Sequence, residues 1–407
     1  MSFPRYPNYK DSGVEWLGAV PEHWVLRRLG YYFDERREKV SDRDYPALSV
    51  TKNGIVPQLE TAAKTDDGDN RKRVCAGDFV INSRSDRKGS AGVADTDGSV
   101  SLICTVLSPR SEVLPAFVHH LLRSAPFQEE FYRYGKGIVA DLWSTKYGEM
   151  RNILLSLPPC PEQAAIAAFL DRETAKIDAL IAEQQRLVDL IDERMKAMAL
   201  LAFSDPGTSF VRLREVTAVM SRPLTQESGA MYTRLGLYNR GRGIFHKDPS
   251  EPDEMGDSDF FWVEEGDLIL SGQFAWEGAV AIAGSAEHGC VVSHRYPIVR
   301  GTPGRLRTEY LFALLCTTHG DFLLNENSRG AAGRNRPLNI GSLLKEKVPI
   351  PNMHVQEQVA SLFHRRKALA CEVARQERLL EERRSALISA AVTGQIDVRG
   401  LTGSEAA

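Results

Sequence analysis

The sequence predicts an α/β protein in which two related mixed α/β modules are separated by a pair of long antiparallel coiled-coil helices. Three observations lead to this fold class. One set of motifs occurs twice at a constant offset, a long run of helical periodicity follows each copy, and short apolar runs between turn residues fill the remainder. With 407 residues, the chain is long enough for about two to four domains with buried cores.

The spacing of matching motifs indicates an internal duplication. A Leu-Ser-Leu-Pro motif ends at Pro158, and a Val-Pro-Ile-Pro motif ends at Pro351, immediately before the two helical runs. The matching pairs, each 193 residues apart, are Gly137 with Gly330, Pro158 with Pro351, and Gln163 with Gln356. Two copies that have diverged in sequence predict two modules with one fold and different surfaces.

Short strands are predicted throughout the first module. The apolar or alternating runs that lie between turn residues are 48–50, 79–81, 92–94 and 103–107. A helix is predicted over 115–122, with proline in its first turn. The second module repeats this pattern, since the turn Gly266-Asp267 precedes an apolar run as Gly77-Asp78 does, and the apolar run 310–315 matches the helix of the first module.

The first long helix is predicted from a heptad pattern that contains neither proline nor glycine. Its seam positions alternate in steps of four and three: Ile166, Leu170, Glu173, Ile177, Leu180, Gln184, Leu187, Ile191, Arg194, Met198 and Leu201. At about 1.5 Å per residue, some forty residues form a rod of roughly 60 Å. A second stripe follows Gln356: Val359, Phe363, Leu369, Val373, Leu380, Leu387 and Ala391, interrupted by Arg366 and by Gln376 or Glu377.

The predicted boundaries follow from these patterns. They are 1–161 for the first module, 162–204 for a central helix, 205–351 for the second module, 352–396 for a distal helix and 397–407 for a disordered tail. Because an amphipathic helix is stabilised mainly by packing of its apolar face, the two helices are natural partners in an antiparallel pair. The alternative is that each helix packs back onto its own module.

Composition and charge limit the function classes. A net charge of −3 argues against a protein that coats nucleic acid indiscriminately, although it permits a local basic face. Six cysteines without close spacing favour reduced thiols, so neither a disulfide framework nor a zinc site is expected. The start of the chain lacks a signal-peptide pattern, and no apolar stretch has the length of a membrane span, so a cytoplasmic protein without membrane contact is expected.

Three long stretches carry a family resemblance. Residues 9–18 read Tyr-Lys-Asp-Ser-Gly-Val-Glu-Trp-Leu-Gly and residues 21–24 read Pro-Glu-His-Trp; the proline-rich entry and helix over 157–181 and the helix end over 378–394 complete the pattern. Together they resemble the specificity subunits of type I restriction-modification enzymes over essentially the whole chain. The second proline-rich stretch, 349–354, departs from the usual form of that family.

The resemblance implies a division of labour between this chain and its partners. It implies that the two modules are target-recognition domains, each of which reads one half of a split, asymmetric site in double-stranded DNA, while the helices set the gap. It further implies two methyltransferase subunits that bind S-adenosylmethionine, and motor-nuclease subunits that use ATP with Mg²⁺. The chain itself is then non-catalytic and holds no cofactor. Half-sites about one helical turn apart, roughly 34 Å, present the same face of the duplex.

Candidate DNA-contacting residues are the Arg, Lys, Asn and Gln side chains in loop-like segments, because these residue types recognise bases and phosphates. In the first module they are Lys52, Asn53, Arg71, Lys72, Arg73, Arg84, Arg87, Lys88, Lys136 and Lys146. In the second they are Asn239, Arg240, Arg242, Gln273, Arg329, Arg334, Asn335 and Arg336. Trp143 and Trp276 are interpreted as core or turn residues rather than as surfaces for stacking.

Catalytic motifs are not apparent. Leu157-Pro158-Pro159-Cys160 lacks the polar and aromatic residues of a methyltransferase motif, and no phosphate-cradling loop is present. His23, His119 and His120 have no acidic or cysteine partners at metal-ligand spacing and are expected to lie on surfaces or helix faces. The alternative function is a non-catalytic coiled-coil scaffold that binds proteins and does not read DNA.

Overall fold

The computed structural model of the chain describes residues 3–59, 68–137, 143–328 and 336–401. Its contacts divide into two compact units: unit 1 is Met1–Ile181 with Gln376–Ala407, and unit 2 is Ala182–Arg375. These divisions fall inside the long helices rather than at the predicted domain boundaries, because the core of each module includes part of both helices. Within the described ranges, none of the helices combines the length and apolarity needed to cross a membrane.

Unit 1 is a mixed α/β module, as predicted. Its strands are β1 Tyr9–Asp11, β2 Ala19–Pro21, β3 Val25–Arg28, β4 Phe33–Glu35, β5 Lys39–Val40, β6 Leu48–Thr51, β7 Gly54–Pro57, β8 Arg71–Val74, β9 Phe79–Asn82, β10 Ala91–Val93, β11 Gly98–Val100, β12 Cys104–Pro109 and β13 Leu154–Leu157. Its helices are α1 Leu29–Tyr32, α2 Pro115–Leu121, α3 Ala125–Arg133, α4 Tyr147–Met150 and the first half of α5 Cys160–Leu201. The four predicted strands and the helix at 115–122 are confirmed as β6, β9, β10, β12 and α2.

Unit 2 contains a second set of similar elements. Its strands are β14 Ser209–Arg212, β15 Thr217–Met220, β16 Leu235–Leu237, β17 Ile244–His246, β18 Phe260–Trp262, β19 Leu268–Leu270, β20 Val280–Ile282, β21 Val291–Ser293, β22 Ile298–Gly301 and β23 Lys347–Ile350. Its helices are α6 Leu213–Val216, α7 Pro252–Met255, α8 Thr308–Leu315, α9 Thr318–Glu326, α10 Ile340–Leu343 and the first part of α11 Met353–Val392.

The sheets show that the duplication is structural. The four-stranded antiparallel sheet of unit 1 has the order β10-β9-β12-β4, and that of unit 2 has the corresponding order β20-β19-β22-β15. A two-stranded hairpin, β6-β7 or β16-β17, accompanies each sheet. The strand before each long helix pairs with an early strand of its module, the third in unit 1 (β13-β3) and the first in unit 2 (β23-β14).

A buried glutamine occupies the same place in both modules, as the motif spacing predicts. Gln163 accepts a hydrogen bond from the Leu114 backbone N–H (2.9 Å) and donates to the carbonyls of Glu112 and Pro158 (both 2.9 Å). In unit 2 the same three bonds recur, each shifted by 193 residues, between Gln356 and the backbone of Arg307, Arg305 and Pro351 (2.8, 3.2 and 2.9 Å). Each glutamine thereby fastens the start of a long helix to its own module.

The long helices pair within unit 1 through their outer halves. Ile166 and Leu170 of α5 share one hydrophobic core with Leu387 of α11. Beside that core, the Asp178 carboxylate accepts two hydrogen bonds from the Arg384 guanidinium, at 2.8 and 2.9 Å. The early part of one helix therefore packs with the late part of the other.

Unit 2 contains the complementary halves. Met195 near the end of α5 shares a core with Val359 and Phe363 near the start of α11. Asp192 lies 2.7 Å from the guanidinium of Arg366, which explains the charged residue in the distal stripe. The antiparallel packing of the two helices is thus confirmed in each unit. The first turns of each helix also pack onto their own module, which is what the alternative prediction stated.

The seam of α5 differs from the predicted one at alternate positions. Leu180, Leu187, Arg194 and Leu201 are exposed, and the residues that follow several of them, Val188, Met195 and Ala202, are buried instead. Two stripes with the same four-three spacing lie one residue apart in this helix, and heptad periodicity alone does not distinguish them. In α11, by contrast, the predicted apolar positions are all buried or partly buried.

Part of the predicted disordered tail is ordered. Val398 is fully buried in the core of unit 1, and the Asp397 backbone N–H donates to the Pro4 carbonyl at 2.8 Å. The Arg399 guanidinium binds the Asp397 carboxylate and lies over the ring of Tyr6. The prediction for 397–401 is therefore wrong, because tertiary contacts with the N-terminal segment stabilise a sequence with little local preference. Residues 402–407 lie outside the described part of the chain.

His120 differs from expectation because it is buried, whereas His23 lies on the surface as expected. His120 is buried and lies 2.7 Å from the Asp171 carboxylate, and the partly exposed His23 lies 2.7 Å from Glu162. Burial lowers the pKa of His119 to about 4, with a further contribution from Arg123. Acidic partners were missed because they come from the long helix, far away in sequence.

We predict that Gln163→Ala and Gln356→Ala each lower the free energy of unfolding by about 1–3 kcal/mol, because a backbone N–H and two carbonyls lose buried partners. Chemical denaturation monitored by circular dichroism measures this change. The control is Gln185→Ala on the exposed face of α5, which should leave stability within about 0.5 kcal/mol. Equal stability of all three variants would contradict the structural role of the paired glutamines.

Candidate nucleic-acid interface

Two loop segments of unit 1 lie side by side: one follows strand β9, and the other follows helix α3. The first contains a short 3-10 helix, Ser85–Arg87. The second contains Lys136 and Ser144, whose backbones exchange two hydrogen bonds of 3.1 Å. The Thr145 N–H donates to the Ser83 carbonyl at 3.0 Å and joins the two loops. Loop residues 62 positions apart in sequence, such as Ser83 and Thr145, therefore lie on one face.

A cleft of about 510 Å³ lies between these loops and the sheet. Its charged lining residues are Arg37, Lys72, Arg84 and Lys146 on the basic side and Glu35 and Glu149 on the acidic side. Basic groups therefore predominate locally, although the whole chain is slightly acidic. Such a local excess of positive charge is the electrostatic feature that nucleic-acid phosphates require.

The exposed cations of this face form only weak ion pairs. Arg84 lies 3.1 Å and Arg87 3.8 Å from the shared Asp86 carboxylate, and Lys136 lies 3.2 Å from Glu149. Solvent-exposed pairs of this kind contribute about 0–1 kcal/mol. These side chains can therefore exchange their carboxylate partners for phosphate at little energetic cost.

The remaining candidates of the first module lie elsewhere on its surface. Lys52 and Asn53 form the exposed tip of the β6-β7 hairpin, where the Lys52 carbonyl accepts a hydrogen bond from Arg123 at 2.6 Å. Lys88 is exposed, with its ammonium 5.4 Å from the centre of the Tyr132 ring.

Two arginines of strand β8 have internal roles. Arg71 is only 4% exposed, and its guanidinium donates to the side chain and the carbonyl of Ser99 at 2.8 and 3.0 Å. The assignment of Arg71 to DNA contact is therefore corrected, since burial removes this group from the surface. Arg73 binds both carboxylate oxygens of Glu38 (3.0 and 3.1 Å) and lies over the Tyr45 ring.

In unit 2, the turn after strand β16 is fixed to a short 3-10 helix, Ala275–Glu277. The Arg240 N–H donates to the Glu277 carbonyl at 3.0 Å, and the Gly241 N–H donates to the Gly278 carbonyl at 2.8 Å. The Asn239 side chain also donates to the Glu277 carboxylate. This 3-10 helix follows β19 as the one in unit 1 follows β9, so the duplication places loops of both modules at corresponding positions.

A cleft of about 710 Å³ opens beside this turn. The lining residues include the predicted Asn239 and Arg240 together with Trp276, and further Lys196, Glu277, Asp321, Phe322, Asn325 and Glu326. Sequence reasoning missed Glu277, because its contact with Asn239 joins residues 38 positions apart rather than a local motif. It also missed Phe322, which lines the cleft from helix α9.

Trp276 connects several predicted residues. Its indole N–H donates to the carbonyl of the exposed Gln273 at 3.1 Å, and the Arg336 guanidinium lies 5.1 Å from its ring centre. Arg242 lies over the Tyr238 ring at 5.8 Å. The interpretation of Trp276 as a turn residue agrees with its hydrogen bond. Arg329, Arg334 and Asn335 lie outside the described residues, as does Gly330 of the motif pair.

Comparison with models of known protein families finds no match, and neither does comparison with curated proteins. Solved structures do match. A chain from a structure of complex assembly and conformational transition in a type I R-M system is 17% identical, with a TM-score of 0.52, covering 92% of this chain and 98% of that one. This likeness shows a shared fold over nearly the whole length of both chains.

Two further structures are similar to this chain. The HsdS subunit from Thermoanaerobacter tengcongensis is 20% identical with a TM-score of 0.43, covering 93% of this chain and 98% of that chain. The type-I restriction-modification S subunit from M. genitalium is 12% identical with a TM-score of 0.46, covering 90% and 96%.

We predict that the double variant Lys136→Ala/Lys146→Ala weakens duplex binding about equally for all sequences and lowers the slope of log affinity against log salt by about two. Each side chain is expected to neutralise one phosphate. Fluorescence anisotropy of a labelled duplex at several salt concentrations measures the slope for the purified chain and for the variant. The control Arg28→Ala/Lys345→Ala removes the same charges from other exposed positions and should leave the slope unchanged.

Proposed function

We propose that this chain is the DNA-specificity subunit of a type I restriction-modification complex and that each of its two modules reads one half of a split, asymmetric site. The observation that carries the proposal is a repeated buried framework that presents different loop residues. A shared framework lets both modules approach DNA in the same way, while different loops read different bases. The chain itself is non-catalytic in this proposal.

One pair of equivalent positions illustrates the divergence. The Thr145 N–H donates to the Ser83 carbonyl in unit 1, and the Leu338 N–H donates to the Gly272 carbonyl (2.8 Å) in unit 2. The residue that follows the accepting residue is Arg84 in unit 1 and Gln273 in unit 2. These two side chains therefore occupy equivalent positions in the two modules. Arginine suits guanine and glutamine suits adenine, so matched scaffolds with these side chains support an asymmetric target.

The paired helices would set the gap between the half-sites. Helix α5 begins in the core of unit 1 and ends in the core of unit 2, and helix α11 runs from unit 2 to unit 1. Two continuous helices fixed at both ends resist changes in length, so the unread bases in the middle of the site need no contacts. The gap then depends on helix length and the half-sites depend on the modules.

The exposed leucines of α5 support docking of partner subunits on the helices. Leu187 and Leu190 are 46% and 48% exposed, and Leu180 lies seven residues before Leu187 on the same face. Large apolar side chains repeated on one helical face are typical of helix-in-groove recognition. We propose that two methyltransferase subunits, with S-adenosylmethionine, dock there, that motor-nuclease subunits supply the ATP- and Mg²⁺-dependent steps, and that the complex is cytoplasmic.

Adenine methylation mapped across a genome by long-read sequencing tests the function. Cells that express this chain with its methyltransferase should methylate a two-part asymmetric motif with a fixed gap, and cells with the methyltransferase alone should not. A scaffold without DNA readout would assemble with the methyltransferase but leave no motif. That result would exclude the proposed function.

We predict that inserting seven residues into both helices, after Ile181 and before Gln376, lengthens the gap and leaves both half-site sequences unchanged. A heptad keeps the apolar faces in register and adds about 10 Å at 1.5 Å per residue, or roughly three base pairs. The methylated motif gives the gap directly. The control replaces an existing heptad with the same seven residues, so that length is constant; an unchanged gap in the longer protein would refute the role of the helices in spacing.

A further inference from the structure

Arg240 has an unusual backbone conformation in the turn after β16. Its φ is +59°, and among the described residues it is the only one other than glycine with a positive φ. Left-handed backbone brings Cβ close to a carbonyl oxygen, which is unfavourable for an L-residue with a long side chain. A glycine would adopt the conformation without strain, so the presence of arginine points to a use for its side chain.

Hydrogen bonds on both sides keep Arg240 in this conformation. Its own N–H is bound by the Glu277 carbonyl and the following N–H by the Gly278 carbonyl, while the Glu277 carboxylate holds the side chain of Asn239. Gly278 also permits the close approach, since a Cβ there would lie 3.2 Å from the Arg240 Cα. Several contacts with residues 277 and 278 therefore hold the turn in this conformation without a ligand.

The side chain of Arg240 stands at the cleft without an ionic partner. Among the described residues, no carboxylate lies within 4.0 Å of its guanidinium. Arg242 and Arg336, by contrast, are placed over the rings of Tyr238 and Trp276. Of the three predicted arginines in this region that the structure describes, Arg240 is the one whose hydrogen-bond donors remain available for a ligand.

We infer that Arg240 is a specificity-determining residue of unit 2 and that it reads a guanine in the second half-site. This inference rests on the proposed function. The planar guanidinium donates two parallel hydrogen bonds to guanine O6 and N7, a pattern that the other bases do not offer in the major groove. Asn239, predicted as a reader, and Glu277 are then positioning residues that hold the turn. A rigid turn restricts the guanidinium to one base pair, which gives selectivity rather than general affinity.

The variants Arg240→Gly and Arg240→Lys test the inference in the complex with the methyltransferase. Arg240→Gly removes the reader and relieves the backbone strain, so the melting temperature should equal or exceed that of the natural chain. Its methylated motif should keep the first half-site and the gap but lose the preference for guanine at one position, with discrimination falling about 10- to 100-fold. Arg240→Lys keeps the charge without the bidentate geometry and should lose discrimination with little change in the salt dependence of binding.

Control and contrary outcomes separate this inference from the proposed function. Arg214→Ala removes an exposed arginine elsewhere in unit 2 and should leave the motif unchanged. If Arg240→Gly reduced methylation equally at every site, Arg240 would contact phosphate, and the inference would be overturned; an unchanged motif would overturn it as well. If the glycine variant failed to fold, Arg240→Asn, which tolerates the left-handed region, makes the same measurement. A natural complex without any split motif would instead refute the proposed function.

Discussion

The fold depends on burial of the apolar faces of two long helices. Neither α5 nor α11 is stable in water with an exposed stripe of this length, and each finds partners in the other helix and in the cores of both modules. Because α5 contributes Ile166 to one core and Met195 to the other, the helix cannot lengthen, shorten or rotate without disturbing both.

The duplication combines buried residues that have the same structural role in both modules with exposed loop residues that differ between them. The buried Gln163 and Gln356 occupy equivalent places in the two modules and make the same three hydrogen bonds to the backbone. Loss of one partner would leave a buried donor or acceptor unpaired, so substitution there is costly. Residues at the loop tips, such as Arg84 and Gln273, carry no such constraint. Under the proposed function, two readers with different specificity share one framework.

The candidate interface was only partly predictable. Loop position and residue type identified Arg84, Lys146 and Arg240, all of which line clefts of their units. The same criteria also selected Arg71, which the structure buries, because a short strand such as β8 alternates between surface and interior and the sequence does not show which side Ser99 occupies. Glu277 was missed, since its contact with Asn239 joins loops that are distant in sequence.

The sequence by itself determined the duplication, the mixed α/β character of the modules and the presence of two long helices, because constant offsets and hydrophobic periodicity are properties of the linear chain. Only the tertiary structure decided which of two equivalent stripes on α5 is buried: Val188 is inside and Leu187 is exposed. It also decided that Val398 completes the core of unit 1 and that the Arg240 turn is held by Glu277. Such choices depend on which surfaces meet in three dimensions, and local residue preferences do not contain that information.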